Sequence, residues 1–351
     1  MTEFLIRAQL TGWSGYGQIA EWLGRGLEAS GIPVRYQSYR TDRAYRDPTS
    51  FVESRMTDDD DCEWCLHLAT PDLMYDLSKR TVVFTMWESS GLPPGSVAWL
   101  NRAEAIIVPC RWNAANFAAC GVTRPIYVCP LGYARSEGYV PRPIDWSRPF
   151  TFGMAGRLAH GGCRKGLSDG AWAYHEAFGD MAGFELQIKV WPDCVPHLDL
   201  PTNPNIKLVT HPMMPHELAA WYHGLHCYFA PTRGEGWGLH TLQAMACGRP
   251  VIAPMHSGTA DFFTEDCGWP LEYTEHDACL LYHGMGKWAV PNRVYMKDLL
   301  WFVGYEHPRV IEWKGNHAAE QASNFTWDHT ASRLMEILKT VGCPTGEPCV
   351  A

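Results

Sequence analysis

Residues 233–254 read RGEGWGLHTLQAMACGRPVIAP. Glycines 234, 236 and 238 predict a loop that can pass close to a ligand. A helix is expected from about Leu239 to Cys247, with Gly248 as its stop. Pro250 leads into the apolar run VIAP (251–254), and CYFAP (227–231) upstream reads as another short strand. Strand, glycine loop, helix, glycine stop and strand make a βαβ unit of a parallel sheet. The Gly238 and Leu239 amides would then lie at a helix N-terminus, where backbone N–H groups favour an anion. Glu235 would compete with a phosphate there, so it makes more sense facing a sugar hydroxyl. A solvated carboxylate on a capped helix is the plain alternative. Gln243 follows eight residues later, about 12 Å away at a helical rise of ~1.5 Å per residue.

A second block, MAGRLAHGGCRKGL (154–167), reads as a strand ending at Gly156-Arg157, a glycine loop and a helix start. Arg157 and Lys165 can both reach an anion at that strand's carboxyl end. Alone the block is weak, because strand-end cations are usually surface charges.

Outward from these blocks, apolar runs alternate with helical patterns. In the second half TFGMAG (151–156), ELQIKVW (185–191) and NIKLVT (205–210) read as strands. LSDGAWAYHEAFG (167–179) and HELAAWYHGL (216–225) read as helices between them. In the first half FLIRAQL, a glycine stretch, IAEWLGRGLEASG and IPVRYQSY make the same β–loop–α–β opening. TVVFTM (81–86), AIIVPC (105–110) and IYVCPL (126–131) follow, apolar throughout as strands covered on both faces are. VPRPIDWSRP (140–149) resembles an interdomain linker. WDHTASRLMEILKTV carries Ala331, Leu334, Met335, Ile337 and Leu338 at helical spacing. The expected fold is α/β: two doubly wound Rossmann-like domains facing across a cleft. The expected domains are residues 1–145 and 146–325, with 326–351 packing back on the first. Ligands of such sheets bind at the carboxyl ends of the strands.

The 351 residues carry 29 Lys plus Arg against 38 Asp plus Glu, a net charge of −9. That argues against a wholesale basic surface for nucleic acid but leaves room for a local patch. No run approaches the ~20 apolar residues of a membrane helix. The start, MTEFLIRAQLTGWSGYG, lacks a basic then apolar signal pattern, so a cytoplasmic location is expected. Thirteen cysteines, an odd number scattered through well-patterned cores, read as reduced thiols. Cys62 and Cys65 form one CxxC without a second pair, so packing is favoured over metal or redox use. TDDDD (57–61) reads as a solvated loop rather than a metal site. The histidines show no HExxH or paired ligand spacing, and no metal is expected. His160, His240 and His256 read as loop hydrogen-bonders or functional groups alike.

The two glycine-loop blocks resemble the retaining nucleotide-sugar glycosyltransferases of family 4, whose architecture is GT-B. That family pairs a G-R-L…K-G block with E-G-x-G-L-x-x-L-E-A-M-A-x-G-x-P-V-I. The resemblance covers most of the chain: SGYGQIAEWLGRGLEASG, IIVPCRWNAANFAACGV, PIYVCPLGYA and HSGTADFF have counterparts in it. It implies that Arg157 and Lys165 hold the donor diphosphate, Glu235 contacts the transferred sugar, and Gly238 and Leu239 bind phosphate by backbone. Gly156, Gly236 and Trp237 line the same donor site, and Gly15 and Gly17 form a loop closing over the donor. Two departures stand out. Gln243 replaces the family's second glutamate, which mostly holds the ribose. Trp87-Glu88 stands where the family has His-Asp, so Glu88 would contact or deprotonate the acceptor. Asp261 stands where an acid is usual.

The implied activity is hexosyl transfer from a UDP- or GDP-linked sugar to a hydroxyl of a carbohydrate or small molecule, with retention and without cofactor. Two alternatives stay open. RYQSYRTDRAYR (35–46) interleaves Arg40, Arg43 and Arg46 with Tyr39 and Tyr45, a pattern that suits DNA carrying a hydroxymethylated base as acceptor. A strand edge with a solvated loop is the favoured explanation of the stretch. Gln243 could instead mark a non-catalytic nucleotide-sugar-binding protein. An epimerase shares the architecture; a phosphorylase would need a pyridoxal-binding lysine, for which no motif is present.

Overall fold

The computed structural model describes residues 3–10, 15–38, 51–59, 61–73, 77, 79–157 and 163–344. The chain divides into two compact units. The first comprises residues 1–87, 91–132 and 325–351; the second comprises 88–90 and 133–324.

The first unit is built on β1 (Phe4–Ala8), α1 (Gly15–Ala29), β2 (Val34–Ser38), β3 (Trp64–Leu68), β4 (Arg80–Phe84), α2 (Ser96–Leu100), β5 (Ala105–Val108), α3 (Arg111–Ala119) and β6 (Ile126–Val128). Its sheet is parallel throughout, in the order β2-β1-β3-β4-β5-β6. β3 and β5 are buried along their whole length. α1 turns Ile19, Leu23 and Leu27 inward, one residue per turn on one stripe. Gly15 and Gly17 lie in the first turn of this helix rather than in a loop before it. The four residues ahead of Ile19 continue the helix, because first-turn amides need no helical partner and glycine costs little there.

The second unit contains β7 (Phe150–Ala155), α4 (Leu167–Phe178), β8 (Phe184–Lys189), β9 (Ile206–Val209), α5 (Pro215–His223), β10 (Cys227–Phe229), α6 (Leu239–Ala246), β11 (Val251–Ala253), β12 (Gly268–Pro270), β13 (Tyr273–Asp277), β14 (Lys287–Pro291), α7 (Arg293–Gly304) and α8 (Pro308–Ala322). Its parallel sheet runs β9-β8-β7-β10-β11-β12. Counted from β7, this is the 3-2-1-4-5-6 order of dinucleotide-binding sheets. The order reverses between β7 and β10, which pair at Cys227–Phe152 and Tyr228–Gly153. The core gathers Phe150, Phe152 and Met154 with Leu186, Ile188 and Phe229, sealed by Tyr174 and Phe178 of α4. β13 and β14 form a separate antiparallel hairpin.

The final helix α9 (Trp327–Thr340) belongs to the first unit. Its Trp327 stacks on Trp22 with ring centroids 6.2 Å apart. A Cβ on Gly26 of α1 would meet the Ala331 Cβ at 2.4 Å, so the two helices approach to backbone distance. Trp327, Leu334, Ile337 and Leu338 are its buried apolar residues, while Ala331 and Met335 are half-buried.

The units divide at 132/133 rather than at 145/146. Residues 140–149 are drawn into the second unit by Arg249, a fully buried guanidinium that donates to the carbonyls of Leu225 (3.1 Å) and Pro143 (3.4 Å). His223 donates to the Val140 carbonyl at 2.8 Å, and Trp146 packs on Phe150 and His226. Every described cysteine is a free thiol. Cys62 and Cys65 are packed, Cys62 against the Arg35 guanidinium at 2.9 Å. Arg35 also pairs with Glu3, Asp59 and Asp61, which places part of the acidic run in an ion-pair network. Among the described residues no helix is long and apolar enough to cross a membrane.

Candidate active site

The loops that leave β7 and β10 flank the point where the strand order reverses, where a doubly wound sheet opens a crevice for ligands. The loop after β10 carries Thr232, Gly234 and Glu235. The turn Cys163–Lys165, ahead of α4, carries Arg164 and Lys165. The two meet at Glu235. Lys165 Nζ donates to Glu235 Oε1 at 2.7 Å, and Arg164 Nη1 donates to Oε2 at 3.1 Å. The Thr232 hydroxyl donates to Oε1 at 2.8 Å. Backbone contacts fix the loop: the Glu235 amide donates to Ser257 Oγ at 2.9 Å, and the Gly258 amide donates to the Glu235 carbonyl at 2.9 Å.

Glu88 joins the same cluster. Its carboxylate lies 3.8 Å from Arg164 and accepts from the Tyr282 hydroxyl at 3.0 Å. Tyr282 comes from the loop between β13 and β14. That hairpin holds residues 88–90 in place: the Ser90 amide donates to the Lys287 carbonyl, and the Lys287 amide to Ser90 Oγ. A Cβ on Gly234 would sit 2.3 Å from the Glu88 carbonyl oxygen. This glycine is therefore required by chain packing on residue 88, not by the approach of a ligand. Gly238 is the N-cap of α6 with φ of 104°, a left-handed conformation that other residues adopt at a cost.

Burial works against the charge on Glu235. The Lys165 and Arg164 charges outweigh it, with help from the Lys165 and Thr232 hydrogen bonds, and hold the carboxyl at about 2. Burial draws Lys165 below the ordinary lysine range while Glu235 pulls the other way. His240, whose Nδ1 pairs with the Tyr222 hydroxyl at 2.8 Å, is held neutral by burial at about 3. A small pocket lies among these groups, its polar lining from Lys165, Thr232, Glu235, His240 and Thr241 and its apolar lining including Leu167, Phe229 and Pro231. The two cations and two carboxylates of the cluster balance formally. Arg157, exposed at the end of β7 with its guanidinium carbon 5.3 Å from the Trp191 ring centroid, adds a further positive charge. Its neighbour Gly156 lies against the Lys165 stem, where a Cβ would meet Lys165 Cγ at 3.0 Å.

The structure thus brings together Glu235, Lys165 and Glu88, and adds Arg164, which the sequence reading passed over beside the more conspicuous Lys165. Trp237 is buried against Phe262, ring centroids 4.9 Å apart. Gln243 is buried on α6. Helix begins only at Leu239, so the rise between Leu239 and Gln243 is about 6 Å, and the 12 Å estimate from Glu235 does not apply. Gly15 and Gly17 lie in the first unit. In the basic-aromatic stretch, Tyr36 is buried with its hydroxyl on the Ala20 carbonyl, and Arg35 is committed to acids. Tyr39, Arg40, Arg43, Tyr45 and Arg46, like His160, lie outside the described residues. Among the described residues no group of three or more His, Cys, Asp or Glu could hold a metal ion.

Residues 195–278 match the family model "Glycosyl transferases group 1". Structures of similar fold include a sucrose-phosphate synthase from Thermosynechococcus elongatus, at TM-score 0.72 and 13% identity over 97% of this chain and 99% of that one. The chain has the GT-B fold. A structure of Anabaena Alr3699/HepE in complex with UDP and glucose is similar at TM-score 0.67 and 12% identity, covering 97% and 100%. The residues matched by the family model all lie in the second unit, as does the glycine-loop block that carries the family-4 resemblance. In sequence, 131 residues are 29% identical to a D-inositol 3-phosphate glycosyltransferase of Paenarthrobacter aurescens (strain TC1). That match spans 37% of this chain and 28% of the relative, well under a third of its length.

Proposed function

We propose that the protein transfers a hexose from a nucleoside diphosphate donor to a hydroxyl of a carbohydrate or small molecule, with retention. The observation that carries this reading is the meeting of Glu235 with Lys165 and Arg164 at the switch point of a 3-2-1-4-5-6 sheet. Cleaving a glycosyl phosphate bond builds negative charge on the diphosphate and positive charge on the sugar. Cations held in a partly desolvated site stabilise the first. Lys165 and Arg164 take this role, with Arg157 supplying the charge in excess of the balanced cluster. The α6 amides behind Gly238 face the same anion. Glu235, held at about 2 and so ionised at neutral pH, orients the sugar and offsets its positive charge. Glu88 is the acceptor-side carboxylate, held by Tyr282 and Arg164.

UDP is the first choice of nucleotide, because the similar HepE structure was solved with UDP and glucose. The inositol phosphate named in the Paenarthrobacter relative is one acceptor of the proposed class. The test is a thermal-shift screen of UDP-, GDP- and ADP-sugars, since a ligand that binds only the folded state raises its stability by mass action. A rise with a UDP-sugar is expected. No shift with any of the three overturns the reading.

A further inference from the structure

The turn that bears Arg164 and Lys165 begins at Cys163, and the loop that bears Tyr282 contains Cys279. Their sulfurs lie 3.0 Å apart, 116 residues distant in sequence. Both residues are half-buried, so a small reagent can reach them. A disulfide requires a separation of about 2.05 Å. The two sulfurs need approach by only about 1 Å, between two turns that already face each other. Neither thiol takes part in the reaction proposed above. Together they join the two segments that hold its charged groups: Arg164 and Lys165 on one side, Tyr282 with its grip on Glu88 on the other.

We propose that Cys163 and Cys279 form an oxidative modification site, a reversible disulfide made by exchange with a small disulfide such as oxidised glutathione. One protein thiolate attacks a sulfur of the small disulfide. A mixed disulfide forms and one small thiol leaves, taking up the proton that the protein thiol lost. The second protein sulfur then attacks the first. The Sγ–Sγ bond forms, the mixed bond breaks, and the second small thiol leaves with the second proton. The protein loses two electrons and the small disulfide gains them. Burial holds the Cys163 thiol above the ordinary thiol range, which slows attack by that sulfur. The bond ties the 163–165 turn to the hairpin loop. It keeps Lys165 and Arg164 on Glu235, where a donor diphosphate needs them to turn outward. This consequence for turnover rests on the proposed function, whereas the disulfide itself does not.

The experiment exposes the intact protein to oxidised glutathione, then digests it without reductant for mass spectrometry. The expected product is a peptide containing Cys163 joined to one containing Cys279, together two hydrogens lighter. It disappears with dithiothreitol and is absent from the Cys279→Ser variant. Glutathione retained on either cysteine without the cross-link, pairing with a different thiol, or no reaction at 163 and 279 overturns the site. The oxidised protein is expected to turn over at least about tenfold more slowly, with full recovery on reduction, as for other gated sites. Cys279→Ser is expected to keep its rate in oxidant. A cross-linked protein that turns over at the reduced rate overturns the locking of the cations. If no sugar transfer is found at all, the proposed function fails, and the mass of the cross-linked peptide still decides the disulfide.

Discussion

At the residue scale, a glutamate is held at low pKa in a site where burial alone would raise it. Two cations and a hydroxyl account for that, and one of the cations is Arg164. Glu235 was legible in the sequence because a carboxylate in a phosphate-type glycine loop has no structural purpose. Arg164 was not, because adjacent cations point differently only once a turn is built, and Arg-Lys read as one basic step. Arg157, by contrast, was legible as a strand-end cation, and the structure places it exposed over Trp191 rather than on Glu235. Replacing Lys165 with Ala is expected to cut turnover about 10²-fold, the scale of one lost transition-state charge contact. Single-turnover rates and Tm measured on the same variant check it. A rate within threefold of the parent, in a folded variant, removes Lys165 from the diphosphate.

At the element scale, the eight strands read from 81–86 onward begin within one residue of expectation and stop one to three residues early. Each early stop lies at the carboxyl end, where the chain turns into a loop. β3 was missed: its acidic lead-in, TDDDDCEW, hid a strand whose five residues are all buried. The β13–β14 hairpin was missed for the opposite reason, since β13 is exposed along its length and shows no apolar alternation. Yet this hairpin supplies Tyr282, so the part of the site it carries had no signal in hydrophobic patterning. α9 was legible because its stripe repeats every three to four residues. Leu334 of that stripe is fully buried. Leu334→Ala is expected to cost about 2–5 kcal/mol, the range for large-to-small changes in a packed core. Urea unfolding of the first unit measures it, and a loss below about 1 kcal/mol places α9 outside that core.

At the scale of the whole molecule, each unit contains a buried neutral histidine. His67 on β3 and His226 beside β7 are both held at about 4, in each case chiefly by burial. The His226 ring accepts from the Thr151 amide at 3.1 Å, which requires its neutral form. A histidine whose folded pKa lies below its unfolded value of about 6.5 binds more protons when unfolded. Its contribution is complete above about 6.5 and is lost as pH falls toward 4. The first unit is expected to lose about 2 kcal/mol between pH 7.5 and pH 5, and the second about 4 kcal/mol because His240, held neutral by burial, adds to His226, read from urea midpoints at the two pH values. Glu235 adds little in that window, because its contribution is lost mainly below pH 5, as pH falls from the ordinary value of 4.5 to about 2. Equal midpoints at pH 7.5 and pH 5 contradict the buried neutral histidines.

The claim on which the rest depends is that the crevice at the β7–β10 switch point activates a nucleotide sugar with retention. Proton NMR of α-linked UDP-glucose mixed with the protein tests it without knowledge of the acceptor, because slow transfer to water releases UDP and glucose. The account predicts UDP release with glucose appearing first as the α anomer, before mutarotation. Glucose appearing first as the β anomer, or no UDP release by a protein that remains folded, contradicts it.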